Sequence, residues 1–77
     1  MLKADQVLDA KGLSCPMPIV KTKKTMDMME PDQVLEIHTT DKGAKADLAA
    51  WSKTSGHELI EQVEEGDVLK FWIRKGH

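Results

Sequence analysis

One cysteine, three prolines, one phenylalanine and no tyrosine are what this 77-residue chain offers of the residue types that most often mark a site or a special turn. A single cysteine excludes an internal disulfide, so Cys15 is expected to be a free thiol in a reducing compartment. The three histidines, His38, His57 and His77, are scattered and show no metal-ligand spacing with that cysteine, so no metal is expected. The formal net charge is −2, whereas a dedicated nucleic-acid binder normally carries a clear basic surplus. With so few aromatics to stack on bases, direct nucleic-acid binding is not expected. No stretch approaches the roughly 18 apolar residues of a membrane span, and "MLKADQVLDA" lacks the apolar centre of a signal peptide. No membrane association is expected, and a cytoplasmic location is.

What is present is enough for one small core. Hydrophobic residues make up 40% of the chain, and a chain of this size buries only about 60% of its unfolded surface. There is no repeat, linker or low-complexity segment, so a single domain over residues 1–77 is expected. "QVLDA" (Gln6–Ala10) is β-prone and closed by Gly12. Pro16 and Pro18 then open a helix, because proline fits a first turn whose N–H groups lack intrahelical partners. From Pro18 to about Glu30, Ile19, Thr22, Met26 and Met29 form one stripe, with Lys21 and Lys24 pointing away from it. "VLEIHTT" (Val34–Thr40) alternates, placing Leu35, Ile37 and Thr39 on one face.

A second helix follows, with Thr40 or Asp41 as its expected N-cap and Gly56 as its stop. Its inward face is expected to hold Ala44, Leu48, Trp51 and Ser55. "ELIEQV" and "VLKFWIR" form a hairpin across "EEGD", with Leu69, Phe71 and Ile73 facing opposite to Trp72. The order is βαβαββ, an α/β (α+β) arrangement. Right-handed crossovers put both helices on one face of a four-stranded mixed sheet. The other face would carry Val34, Trp72 and one of Ile60 or Val63, as ordinary apolar exposure or as a weak self-association surface.

Cys15 falls where the first strand gives way to the first helix. Free backbone N–H groups and the positive end of the helix macrodipole favour an anion there. A helix N-terminus lowers a thiol pKa from about 8.5 by one or more units. Lys11, Lys21, Lys23 and Lys24, close in sequence, would add positive potential. Each proline biases the residue before it, Cys15 or Met17, away from helical geometry, which stiffens the loop and tends to present the thiol outwards. The same environment suits a persulfide, whose terminal sulfur is also anionic. The competing role for a lone cysteine is that of a small buried apolar residue.

The stretch "LDAKGLSCPMPIVK" resembles the signature of the TusA-like (SirA-like) sulfur-carrier family, Leu-Asp-x-x-Gly-x-x-Cys-Pro-x-Pro, beginning at Leu8. "TTDKGAKADLAAW", "SGHELIE" and the closing "FWIRK" fit as well, so the resemblance runs from about Leu8 to Lys75. It departs at Lys42, where many relatives have proline, and at Ala49. The resemblance implies a two-layer α/β sandwich in which Cys15 carries sulfur as a persulfide, with Gly12, Pro16 and Pro18 as the supporting motif.

It also implies partners. A cysteine desulfurase or a rhodanese would serve as sulfur donor, and an acceptor protein would take the sulfur towards tRNA thiolation, molybdenum-cofactor metabolism or sulfur oxidation. The chain has no cofactor-binding segment, so no cofactor of its own is expected. It would act as a sulfurtransferase-type carrier without independent turnover. Lys21, Lys24 and Asp41 are candidates for docking such partners; the competing role of the lysines is an ordinary solvated helix face, and capping of the second helix explains Asp41 equally well. A monomer is expected, although oxidation could cross-link two chains through Cys15. The alternative function is a regulatory or protein-binding module of the same fold that transfers no sulfur.

Overall fold

The computed structural model describes residues 4–14 and 16–76. Its elements run β1 (Gln6–Ala10), α1 (Met17–Asp27), β2 (Val34–Thr39), α2 (Ala44–Ser55), β3 (Glu58–Glu65) and β4 (Val68–Arg74). The strands form one sheet in the order β1-β2-β4-β3. β1 and β2 run parallel with Leu8 opposite Ile37, which requires a crossover connection, and α1 supplies it. β4 lies antiparallel to both β2 and β3. The β3–β4 hairpin closes through Gly66 and Asp67, with Gly66 at φ +60°; positive φ lets so short a turn follow the strand twist.

The two-layer arrangement follows from one apolar face on each element. Leu35, Ile37, Leu69, Phe71 and Ile73 from the sheet meet Met26 and Met29 from the α1 side and Ala44 and Leu48 from α2. Leu35, Ile37, Leu48 and Ile73 are completely buried. At about 1.5–3 kcal/mol for each large apolar side chain removed from water, this small cluster is the main favourable term in folding. The buried polar groups are satisfied within it. Thr22 Oγ1 donates to Pro18 O at 2.7 Å and Ser52 Oγ to Ala49 O at 3.0 Å.

Three sequence expectations are corrected. α1 ends at Asp27, not near Glu30. Met28 and Met29 leave it through tighter bonds, their N–H groups donating to Thr25 O and Met26 O, so Met29 stays in the core while its backbone is no longer helical. α2 begins at Ala44, with Gly43 as its N-cap residue and no side-chain cap. Neither Thr40 nor Asp41 caps it: the Asp41 carboxylate accepts the Gly43 N–H at 3.0 Å and Asp41 O the Ala44 N–H, spending residues 41–43 on a turn. Finally, the fully buried residues of α2 are Ala44, Leu48 and Ser52, spaced four apart; Trp51 faces inward as expected, half-buried against the core with its ring 5.2 Å from that of His57. Ser55 too is only half-buried.

Among the described residues, no helix is long and apolar enough to cross a membrane. The helix-free face of the sheet is more polar than apolar. Trp72 lies on it but is only 8% exposed, its indole N–H donating to Glu36 Oε1 at 3.1 Å. His38 Nε2 lies 2.5 Å from the other oxygen of that carboxylate. Of the two residues expected beside Trp72, the register gives Val63, opposite Lys70; Ile60 falls at the irregularity between Leu59 and Glu61.

Candidate functional site

The site forms where the parallel strands β1 and β2 both end. β1 finishes at the fully buried Ala10, and the chain reverses at once. The Lys11 N–H donates to Asp9 Oδ1 at 3.0 Å, the Leu13 N–H to Ala10 O at 3.3 Å, and Gly12 takes φ +81°. A side chain at Gly12 would meet nothing within 4 Å. Backbone conformation, not space, is therefore what favours glycine there. The Gly12 N–H then donates 2.9 Å to Thr40 Oγ1, across 28 residues of sequence. Thr40, expected as a helix cap, instead ties the β1–α1 loop to the β2–α2 loop.

Cys15 lies outside the described residues, but its neighbours on both sides are placed. Ser14 O accepts the Met17 N–H at 2.9 Å, and Pro16 O accepts the Val20 N–H at 3.1 Å, so Ser14 and Pro16 are both tied directly to the start of α1. Pro16 is the N-cap residue and is exposed, whereas Pro18 is buried in the first turn. The two prolines thus divide the work: Pro18 pins the helix start to the core, and Pro16 holds the turn at the surface. Met17 is helical, contrary to the extended bias expected of a residue before proline; the first turn leads out of the non-helical turn at Pro16, and the Ser14 bond fixes its geometry. The first turn of α1 contains no acidic residue, so its own side chains leave the positive end of the helix dipole uncompensated.

The candidate lysines separate. Lys21 and Lys24 line an open groove of about 320 Å³ together with Leu8, Met17, Val20 and Thr25. Lys23 points elsewhere and pairs loosely with Asp27 at 3.8 Å on an exposed helix face, a contact worth little. Asp41 does not line the groove. It sits half-buried in the β2–α2 loop, its N–H donating to Thr39 Oγ1 at 3.1 Å, next to the Thr40 tether. Two separate patches therefore hold the candidates, a basic and apolar groove beside α1 and a loop bearing Asp41 next to the Gly12–Thr40 tether. The groove was missed in the sequence, although Met17 and Val20 are apolar residues off the buried stripe of α1 and that mismatch is its signal.

Comparison with known proteins bears on this geometry. Residues 6–75 match the family described as Sulfurtransferase TusA. A Bacillus subtilis (strain 168) protein named "Putative sulfur carrier protein YrkI" is 68% identical over 75 residues, covering 97% of this chain and all of that one. A Sulfur carrier protein TusA from Allochromatium vinosum is 47% identical over 75 residues, covering 97% and 99%. Among solved structures, a SirA-like protein from Desulfitobacterium hafniense superposes with a TM-score of 0.80 over 94% of this chain and 99% of its own, at 22% identity, a likeness of fold. With the family match spanning every element from β1 to β4, the chain belongs to the TusA family.

Proposed function

We propose that this chain is a single-domain, cytoplasmic sulfur carrier that holds sulfur as a persulfide on Cys15. The observation that carries the reading is the family match over residues 6–75, which includes the Cys15-Pro16-Met17-Pro18 motif whose last two residues begin α1. Relatives of nearly the same length carry the name sulfur carrier protein. The donor is a cysteine desulfurase or a rhodanese, and the acceptor is a protein cysteine in a pathway such as tRNA thiolation, molybdenum-cofactor metabolism or sulfur oxidation.

In the first step the Cys15 thiolate attacks the outer sulfur of the donor's persulfide. A new S–S bond forms on Cys15, the donor's own S–S bond breaks, and the donor cysteine leaves as a thiolate, so no net oxidation occurs. The helix N-terminus favours both anions, the attacking thiolate and the resulting persulfide. With one cysteine in the chain, the persulfide has no internal thiol to collapse on and is delivered by the reverse exchange to an acceptor. Gly12, Pro16 and Pro18 hold the loop, while Lys21, Lys24 and Asp41 meet partner surfaces. The carrier works as a monomer and turns nothing over alone.

The test is intact mass after incubation with a cysteine desulfurase, cysteine and pyridoxal phosphate. The wild type gains the mass of one sulfur atom and Cys15→Ser gains none. An unmodified wild type, under conditions that load a relative such as the Allochromatium protein, would sink the proposal.

A further inference from the structure

The two edges of the sheet are built differently. β3 is guarded: an irregularity at Ile60 breaks its register, and Glu58, Glu61, Glu64 and Glu65 line a strand almost wholly exposed, both of which discourage strand addition. β1 has no such guard. It pairs only with β2, and among the described residues no strand covers its outer side. Its registered stretch is regular along five residues with one acid, Asp9. On the helix-free face of that edge Val7 is 61% exposed.

On the helix side, the groove lies directly beside β1, with Leu8 from the strand and Met17, Val20, Lys21 and Lys24 from α1. Met17 and Val20 are 41% and 38% exposed. A strand added to β1 would lie about 4.8 Å away and send alternate side chains to the two faces. One set would enter the groove and the other would cover Val7.

We propose that the β1 edge is a docking site for an extended segment of a partner protein that carries apolar and acidic side chains, bound by strand addition beside α1. Main-chain hydrogen bonds to β1 supply the mode of binding, and the groove supplies selection. Charge decides among occupants. Two copies paired through β1 would bring Lys21 and Lys24 of both chains together, a like-charge contact that opposes self-pairing. The edge of β3 has the complementary charge, but its irregularity denies it a regular ladder. An acidic segment from another protein meets neither obstacle. The site is independent of sulfur chemistry, and the test uses the full chain as Cys15→Ser so that the thiol plays no part.

The probe is an acetylated, amidated hexapeptide of alternating valine and glutamate, titrated into labelled protein and followed by amide chemical shifts. Saturable shifts confined to β1 and to Met17–Thr25 are expected, with half-saturation on the order of 1 mM for a short strand lacking a buried anchor. The same peptide N-methylated at every residue, which has no N–H left on either edge to form the ladder, shifts nothing. Replacing its glutamates by glutamine, or the protein's Lys21→Glu with Lys24→Glu, weakens binding at least about fivefold. The absence of saturable shifts, an equal response to the N-methylated peptide, or shifts centred on β3 overturns the proposal. So does salt-sensitive self-association of the chain without peptide in sedimentation, which would make a second copy the occupant.

Discussion

Gly12 concentrates several constraints of the site in one residue. Its φ of +81° and its hydrogen bond to Thr40 place the turn that leads to Cys15. Gly12→Ala forces an L side chain into left-handed backbone and should cost about 1 kcal/mol in a denaturant melt; Gly12→Asn, whose side chain tolerates that region, should cost less. Equal losses for the two would show that space, not backbone conformation, is limiting. At this scale the sequence was informative wherever a residue's chemistry is local. The prolines mark the helix start and the glycines mark turns because φ preference travels with the residue. The partner of Thr40 was not legible, since a bond across 28 positions depends on how β1 and β2 align. Asp41 was misplaced by the same kind of ambiguity: an aspartate ahead of a helix serves a turn or a cap equally well, and here it closes the turn over residues 41–43.

The elements show what periodicity can and cannot fix. Strand alternation placed Leu35, Ile37, Leu69, Phe71 and Ile73 correctly inside, because a period of two admits only two registers. Helix ends were softer. Met29 remains buried beyond the end of α1, so its hydrophobicity extended the apparent stripe past Asp27. The hairpin yields a pH prediction. Lys70 Nζ stands 2.5 Å from Glu65 Oε1, and this lysine, by hydrogen bond first and charge second, lowers the Glu65 pKa from its ordinary 4.5. The glutamate in turn raises that of Lys70 above 10.5.

A lowered carboxylate pKa stabilises the fold above the unfolded value and ceases to do so as pH falls through the folded one. A raised lysine pKa stabilises below its unfolded value and is lost as pH rises through the folded one. The small difference in melting temperature between wild type and Glu65→Gln should therefore be present near neutrality and vanish at both extremes. It should also shrink in high salt, because the pair is exposed. A difference that persists in acid would assign it to packing.

As a whole the molecule is a thin core under two helices, with the site at one end of the two parallel strands. Leu48 is fully buried at the centre of α2, and Leu48→Ala should cost about 2–5 kcal/mol by chemical denaturation, a large share of the 5–15 kcal/mol typical of a whole domain. A loss below 1 kcal/mol would mean that the two layers close over the missing side chain. Fold and family were legible from the order of segments because each segment's pattern and the site motif agreed. The docking surface was not, because the groove is made by residues from β1 and α1 whose adjacency exists only after folding. It is the setting of Cys15 that the whole account rests on, and the sulfur it holds can be counted. After loading by a cysteine desulfurase and removal of the donor, cyanide should release one thiocyanate per chain from the wild type and none from Cys15→Ser; no release from a loaded wild type, or equal release from the serine variant, would contradict the assignment of Cys15 as the carrier.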